Sequence, residues 1–439
     1  MSNLTTRSTI PIDSTLILAV LALIGIGILF IYSSGVNSTG VLISNEYLRQ
    51  LLWAFLALGV LLVFSYFNYN LLRDFSLWIY LACLLLLALT LVFGKVVNGA
   101  RAWLGIFGLG GQPSEFAKIA TILYLARFLE SRRNKIGDWK VFLQAFLLVA
   151  VPMALIIRQP DTGTTLVFIP VFLLMLFMAG GKVRHLFFVA LTGVFSIVMA
   201  LIPYVETIIY HETDGIGSLL TNWTTMGIVS SFMVVILCIA WYGWIRFKKS
   251  VFYWIVFFVS ILILALALSS GLRLVLKEYQ IMRFIVFLDP SIDPRDSGWN
   301  LIQSITAIGS GGFSGKGWLA GTQSHLRFLP MQSTDFIFSV VGEEWGFLGG
   351  TVIFGLFLTI LLRMLFIMQK IRDRYGVIVL AGFLGVLFTH VFVNIGMTVG
   401  IMPVTGIPLY FLSYGGSSLL AGCIMMGISM NVHHRRFMF

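Results

Sequence analysis

Apolar runs of about 18 or more residues recur along the chain, and each is long enough to cross a hydrocarbon core of roughly 30 Å. This pattern predicts an all-α polytopic membrane protein, a single domain over residues 1–439 with no sizeable soluble part. The expected spans, about twelve, lie near residues 14–34, 48–66, 76–94, 113–130, 140–157, 163–180, 186–206, 225–244, 251–271, 335–362, 376–398 and 406–432.

Composition supports this class and removes others. Hydrophobic residues make up 59% of the chain and charged residues 11%, with a mean hydropathy of +0.97. The formal charge of +11 is spread over many short connections without interleaved aromatic residues, so nucleic acid is not an expected partner. Three cysteines, all within apolar spans, give no sign of a disulfide framework or a thiolate metal site.

Lysine and arginine predict the orientation, because they are enriched in short cytoplasmic connections. With the N-terminus inside, the cytoplasmic segments collect most of the 29 basic residues, including Arg435 and Arg436. We therefore expect both termini in the cytoplasm and the polar, glycine-rich stretch 272–334 outside. Within that stretch, Trp299 to Ile308 would form a helix with one apolar face and one polar face. This pattern is typical of a short helix that lies in the membrane interface.

Several motifs occur in a fixed order from about residue 45 to residue 435, and together they closely resemble the RodA/FtsW (SEDS) family of bacterial cell-wall polymerases. They are Gly99-Ala100-Arg101-Ala102-Trp103, Gln112-Pro113-Ser114-Glu115-Phe116-Ala117-Lys118, Gln159-Pro160-Asp161-Thr162-Gly163-Thr164, the loop from Asp289 to Asp335, Pro403-Val404-Thr405-Gly406-Ile407-Pro408-Leu409 and Phe411-Leu412-Ser413-Tyr414-Gly415-Gly416-Ser417-Ser418. The stretch from Gly321 to Pro330 is similar to the elongation branch, RodA, rather than the division branch.

The resemblance implies a ten-helix SEDS bundle in the bacterial inner membrane, so residues 207–250 are interpreted as an inserted helical pair. It implies peptidoglycan glycosyltransferase activity on lipid II during cell elongation, with 272–334 as the catalytic loop. It also implies a class B penicillin-binding protein and other elongation-complex membrane proteins as partners.

Asp293 matches the family's proposed catalytic aspartate. The reaction needs a base that takes the proton from the 4-hydroxyl of the acceptor sugar, and a carboxylate close to apolar surface can have its pKa raised toward that role. The alternative is that Asp293-Pro294 simply initiates a turn. Asp289 has the same local context and is the natural comparison.

The departing pyrophosphate needs positive charge, supplied by cationic side chains or by a divalent cation such as Mg²⁺ or Mn²⁺. Arg101, Lys118, Arg283 and Lys316 are the candidate cations. Lys118 lies three residues after Glu115 on one helix face, so the two could instead form a structural pair. Further candidate substrate-binding residues are Glu115, Gln303, Ser304, Gln323, Asp335 and Glu344.

Two alternatives stay open. Asp335, Glu343 and Glu344 enter a span from outside and could hold a metal or pack against neighbouring helices. A flippase for the lipid-linked precursor would also need polar residues inside a bundle, although here they gather in one outer loop and the adjoining helix ends. A noncatalytic scaffold would not require the intramembrane Glu115 and Lys118.

Overall fold

The structure, a computed structural model, describes residues 13–97, 100–106, 109–211, 215–294 and 297–435. Gly99 of the first motif and Arg436 lie outside these residues. The helices are α1 Ser14–Ser34, α2 Glu46–Tyr66, α3 Tyr69–Phe93, α4 Pro113–Ser131, α5 Trp139–Arg158, α6 Thr162–Met178, α7 Val183–Val205, α8 Ile216–Thr221, α9 Trp223–Phe247, α10 Ser250–Val275, α11 Glu278–Leu288, α12 Ser297–Gly311, α13 Thr322–His325, α14 Ile337–Lys370, α15 Arg374–Thr398 and α16 Gly416–Arg435.

The predicted all-α polytopic fold is confirmed. Nine helices of the described chain are long and apolar enough to cross a membrane: α1, α2, α3, α5, α7 with its extension to Tyr210, α9, α10, α14 and α15. The other three expected spans correspond to α4, α6 and α16, which are more polar or shorter. Each expected span therefore contains a long helix.

One predicted boundary is wrong, because the last span begins at Gly416 rather than at 406. Residues 399–415 form an irregular segment that nevertheless buries Ile407, Leu409, Tyr410 and Phe411. Gly406 has a φ of +72°, which an α-helix does not accommodate. Apolar side chains in a buried, non-helical segment give the same signal as a helix.

Residues 95–112, between two of the expected spans, contain a three-stranded antiparallel sheet. Its strands are β1 Lys95–Val97, β2 Ala100–Ile106 and β3 Leu109–Gly111, in the order β1-β2-β3. Lys95 pairs with Trp103, and Leu104 pairs with Gly111. The sheet leads directly into the Gln112-Pro113 start of α4, where Pro113 occupies the first turn, a position that proline favours.

The chain divides into two compact units. The first comprises 1–181 and 303–439, with α2 packed on α16, α6 on α15, α3 on α4 and α1 on α14. Helix α15 is the most enclosed of its candidate spans, with 83% of its apolar window buried. Close packing needs Gly382 here, since a Cβ would lie 2.5 Å from Cγ2 of Ile122 on α4.

The second unit, 182–302, is built on α7, α9 and α10, which pack together. The range 207–250, interpreted as an inserted helical pair, contains one long helix, α9, and the six-residue α8. An inserted pair would need two membrane-crossing helices within 207–250, but of the helices described there only α9 is long enough. The other long helices of this unit, α7 and α10, lie mostly outside that range. Whether the segment is an insertion relative to the family stays a prediction.

Candidate active site

Asp293 lies immediately after a single 3₁₀ turn, Pro290–Ile292, that follows α11. Its side chain is half-buried. The Asp293 carbonyl accepts a hydrogen bond from Gly298 N at 2.9 Å, and a Cβ on Gly298 would come within 2.5 Å of that carbonyl oxygen. Glycine at position 298, near the start of α12, therefore permits this close approach to the Asp293 carbonyl.

The Asp289 side chain caps the 3₁₀ turn. Its Oδ1 accepts hydrogen bonds from the backbone N (2.9 Å) and the hydroxyl (2.6 Å) of Ser291. These bonds lower the pKa of the Asp289 carboxyl, because they stabilise the ionised form. Asp289 thus caps the 3₁₀ turn, and its weakened basicity makes it a poor proton acceptor.

Glu115 and Lys118 form a buried ion pair on α4. Their side chains are 1% and 2% exposed, with Lys118 Nζ 2.8 Å from Glu115 Oε1. The other carboxylate oxygen accepts a hydrogen bond from the Tyr410 hydroxyl. The pair therefore ties α4 to the irregular segment 399–415.

His390 on α15 completes this network. Its Nδ1 lies 2.7 Å from the Pro408 carbonyl, which can only accept, so Nδ1 carries the hydrogen. Nε2 is then left with a lone pair, and it lies 3.0 Å from Lys118 Nζ as an acceptor. The Lys118 ammonium is consequently held by two protein groups, an arrangement that supports the structural-pair alternative. Its role as a phosphate ligand stays a prediction.

Glu343, near the start of α14, is the centre of a second polar cluster. Its fully buried carboxylate accepts hydrogen bonds from the backbone N of Thr322 (2.7 Å), Gln323 (2.8 Å) and Ser324 (3.0 Å). Lys316 Nζ lies 2.8 Å from Glu343 Oε1 and donates to the Thr322 hydroxyl at 2.7 Å. Glu343 thus fixes the loop around α13, and Lys316 is one of its partners.

Glu344 holds a third cluster, at the end of α1. It accepts hydrogen bonds from the Ser33 hydroxyl and from Leu319 N at 3.2 Å. His325 Nε2 lies 3.3 Å from its Oε1, while Nδ1 lies 2.8 Å from the Val36 carbonyl. Because Nδ1 donates to that carbonyl, Nε2 is the ring nitrogen that faces the Glu344 carboxylate, and among the described residues it is buried without a hydrogen-bond partner.

A break in α14 explains how both glutamates reach the loop. Gly346 is non-helical (φ 62°, ψ −156°), which frees backbone groups on either side of it. The carbonyls of Glu343 and Glu344 accept from Lys316 N (3.1 Å) and Gly317 N (2.9 Å). A Cβ on Gly315 would lie 2.1 Å from the Glu344 carbonyl oxygen, so the glycine-rich turn lies directly against the break.

The remaining candidates make other contacts, although the backbone N of Gln323 belongs to the Glu343 cluster. Exposed Arg101 on β2 donates to the Leu91 carbonyl at 3.3 Å. Arg283 on α11 lies 5.7 Å from the centroid of the Tyr279 ring. Gln303 on α12 is half-buried, and the buried hydroxyl of its neighbour Ser304 bonds to Ser339 and to the Thr398 carbonyl. The Oε1 of Gln323 is buried and has no hydrogen-bond partner among the described residues. The carbonyl of Asp335 accepts a hydrogen bond from Asn394.

Sequence reasoning missed several buried polar side chains that join these elements. They are Ser33, Tyr410, Gln50, which bonds the backbone of Ser413 and Gly415, and Asn394, which bonds the carbonyls of Asp335 and Ile407. Gln50 and Asn394 could have been found, because polar side chains within apolar spans are expensive unless they bind a partner.

No group of three or more His, Cys, Asp or Glu side chains in the described ranges is placed to hold a metal ion. Mg²⁺ commonly uses one or two carboxylates together with substrate phosphates. A divalent cation is therefore expected to share its ligands between the protein and the pyrophosphate, and this cofactor stays a prediction.

Comparison with known proteins decides the family. The family described as cell cycle protein, comprising FtsW, RodA and SpoVE, matches residues 14–224 and 215–437. The chain belongs to this family. It is 44% identical over 432 residues to the peptidoglycan glycosyltransferase RodA of Treponema pallidum, covering 98% of this chain and 99% of that one. Identity to the peptidoglycan glycosyltransferase MrdB of Escherichia coli K12 is 30% over 429 residues, with 98% and 95% covered.

Solved structures of the FtsW/RodA/SpoVE family have the same fold. The Thermus thermophilus rod shape determining protein RodA superposes with a TM-score of 0.61 at 26% identity, covering 98% of this chain and 99% of its own. A chain from a peptidoglycan synthase complex, solved to explain how polymerization and crosslinking are coordinated, gives 0.67 at 27% identity over 98% and 99%. The resemblance inferred from the motifs is thereby confirmed over nearly the whole chain.

Proposed function

We propose that this protein is a peptidoglycan glycosyltransferase that polymerises lipid II into glycan strands during cell elongation, with Asp293 as general base. The observation that carries the enzyme class is the full-length similarity to relatives named for this activity. The residue assignment is supported by position, since Asp293 directly follows the 3₁₀ turn, whereas the Asp289 carboxylate caps that turn and has a lowered pKa.

In the proposed step, the 4-hydroxyl oxygen of the acceptor sugar attacks the anomeric carbon of the donor. Asp293 takes the hydroxyl proton as the new carbon–oxygen bond forms. The bond between the anomeric carbon and the pyrophosphate oxygen breaks, and undecaprenyl pyrophosphate leaves with the electron pair. Attack from the face opposite the leaving group inverts the anomeric centre. Exposed Arg101 contacts a backbone carbonyl and half-buried Arg283 contacts an aromatic ring, whereas Lys118 and Lys316 are each paired with a carboxylate. The two arginines are therefore the cations we assign to the leaving pyrophosphate.

A membrane-embedded polymerase of this class would use a class B penicillin-binding protein to crosslink its product, alongside other elongation-complex membrane proteins. The similarity to a chain of a peptidoglycan synthase complex supports that partnership. The distribution of basic residues supports a bacterial inner-membrane protein with both termini in the cytoplasm and the loop 272–334 outside.

The test compares Asp293→Asn with Asp289→Asn in purified protein supplied with its partner and fluorescent lipid II, with moenomycin added to silence other polymerases. Loss of the base should reduce the polymerisation rate by roughly 10²–10⁴-fold, whereas Asp289→Asn should be far milder. Glycan strands of normal length from folded Asp293→Asn protein would assign the base to another residue. Transport of lipid II without strand formation by the wild type would favour the flippase alternative.

A further inference from the structure

A basic cavity lies between the end of α4 and the start of α5, far along the chain from the loop 272–334. Its volume is about 820 Å³. The connection between the two helices is a 3₁₀ turn, Arg133–Lys135. Four basic side chains line the cavity together with one acidic side chain, and they are Arg132, Arg133, Lys135, Lys140 and Asp138.

The positive charge of this cavity is not neutralised by nearby protein carboxylates. Within the described residues, none of the four basic side chains has a carboxylate oxygen within 4 Å. Neighbouring Glu130 is already paired with Arg73 at 3.0 Å. The guanidinium of Arg132 lies over the Phe128 ring, 3.9 Å from its centroid, which holds the charge at the cavity. Such a concentration of cations attracts an anion.

The start of α5 adds to this attraction. Its N-cap residue, Asp138, makes no side-chain cap hydrogen bond, and the first turn carries no acidic residue. The first N–H groups of a helix have no intrahelical partner and carry partial positive charge. The positive charge of Lys140 in the first turn is therefore repelled by the partial positive charge of the helix N-terminus. A bound anion would be attracted by both.

An exposed tryptophan beside the cavity indicates the source of the anion. Trp139, at the first position of α5, is 50% exposed and stacks on Phe142 with the ring centroids 4.9 Å apart. Exposed tryptophans at helix ends lie at the level of lipid headgroups. Basic pockets between membrane helices on the cytoplasmic side bind phosphate headgroups. The enrichment of basic residues in cytoplasmic loops accounts for the presence of these charges. It does not account for their arrangement around a cavity.

We propose that this cavity binds the phosphate of an anionic phospholipid, such as phosphatidylglycerol, from the adjacent leaflet. The proposed topology makes that the cytoplasmic leaflet, but the site itself does not depend on the polymerase reaction. Free phosphate shares the same chemistry, so the test must separate a lipid headgroup from a soluble anion.

The experiment titrates the full-length protein in detergent with phosphatidylglycerol and counts bound lipids by native mass spectrometry. The variant Arg132→Gln/Arg133→Gln/Lys135→Gln removes three charges from the cavity. Because each basic residue near an anionic surface contributes about fivefold, the three changes together should weaken binding of the first lipid by roughly 100-fold. Phosphatidylcholine of the same acyl chains should bind weakly to both proteins, and inorganic phosphate should not displace the lipid.

The matched control, Arg246→Gln/Lys248→Gln/Lys249→Gln, removes the same charge from the last turn of α9 and its connection to α10. Equal loss in the control, or wild-type binding by the cavity variant, would overturn the proposal. Displacement by inorganic phosphate at comparable concentration would reject the lipid as ligand. If the triple variant does not fold, the single changes Arg133→Gln and Lys135→Gln at exposed positions each should weaken binding severalfold. Lipid II polymerisation, measured in parallel, should stay unchanged.

Discussion

Replacing Lys118 with methionine separates a structural pair from a phosphate ligand. Methionine keeps most of the side-chain volume and removes the charge that faces Glu115 at 2.8 Å. With Glu115 only 1% exposed, its carboxylate would keep the hydrogen bond from Tyr410 but lose its counter-charge. Leaving one partner of a buried ion pair behind destabilises a protein by about 3–5 kcal/mol. His390 Nε2 would lose its donor as well.

The double variant Glu115→Gln/Lys118→Met supplies the decisive comparison. Glutamine can still accept from the Tyr410 hydroxyl, and no buried charge remains unpaired. Replacing both members of a buried pair is often close to neutral, so the double variant should recover most of the stability lost by Lys118→Met. The coupling between the two positions should therefore exceed about 2 kcal/mol.

Two measurements on the same preparations check this reasoning. Resistance to unfolding in detergent reports stability, and fluorescent lipid II on a gel reports strand synthesis. Lys249→Met, at an exposed position, controls for loss of a lysine. Wild-type stability in Lys118→Met, combined with abolished polymerisation that Glu115→Gln fails to restore, would refute the structural role and assign the ammonium to substrate phosphate.

Two further outcomes follow from the clusters on α14. In the wild type, several donors share the Glu343 carboxylate, and Glu343→Gln replaces one of its accepting oxygens with a donating amide. This change should destabilise the protein by roughly 3 kcal/mol and accelerate limited proteolysis of the loop 311–335. Glu278→Gln, at an exposed position, is the control that should have no effect. His325→Leu removes the donor to the Val36 carbonyl and the group that faces Glu344. The free energy of unfolding should fall by about 1–3 kcal/mol. His325→Gln keeps a donor, so a glutamine variant no more stable than the leucine variant would contradict the hydrogen-bond argument.

The helices could be predicted from the sequence because a membrane leaves few alternatives. Backbone groups in the hydrocarbon core must bond within their own segment, so each long apolar run implies a helix. The exception is the segment 399–415, where apolar residues are buried by protein rather than by lipid. Its backbone is supported by side chains from other helices, including Gln50 and Asn394. Nothing in a local pattern identifies partners that are more than 300 residues away, as Gln50 is from Ser413.

The candidate site was predictable only in part, for the same reason. Charge and motif order identify Glu115, Lys118, Glu343 and Glu344 as important, but they do not say whether each group meets substrate or protein. The structure gives the carboxylates protein donors and surrounds the Lys118 ammonium with acceptors. A buried charge that is already compensated stabilises one arrangement of helices and loop, and moving it toward a substrate would require breaking those bonds.

Stabilisation of the leaving pyrophosphate is therefore expected from cations whose bonds are easily exchanged. Arg101 is exposed and makes a long 3.3 Å hydrogen bond to a carbonyl, while Arg283 lies against an aromatic ring. Either guanidinium could exchange such a contact for a bidentate bond to phosphate oxygens, which is a stronger interaction. Lys316 is an intermediate case, since its side chain is 25% exposed but already paired with the fully buried Glu343. Phosphate would have to compete with that carboxylate for the ammonium, and the loop around α13 would lose one of the bonds that fix it.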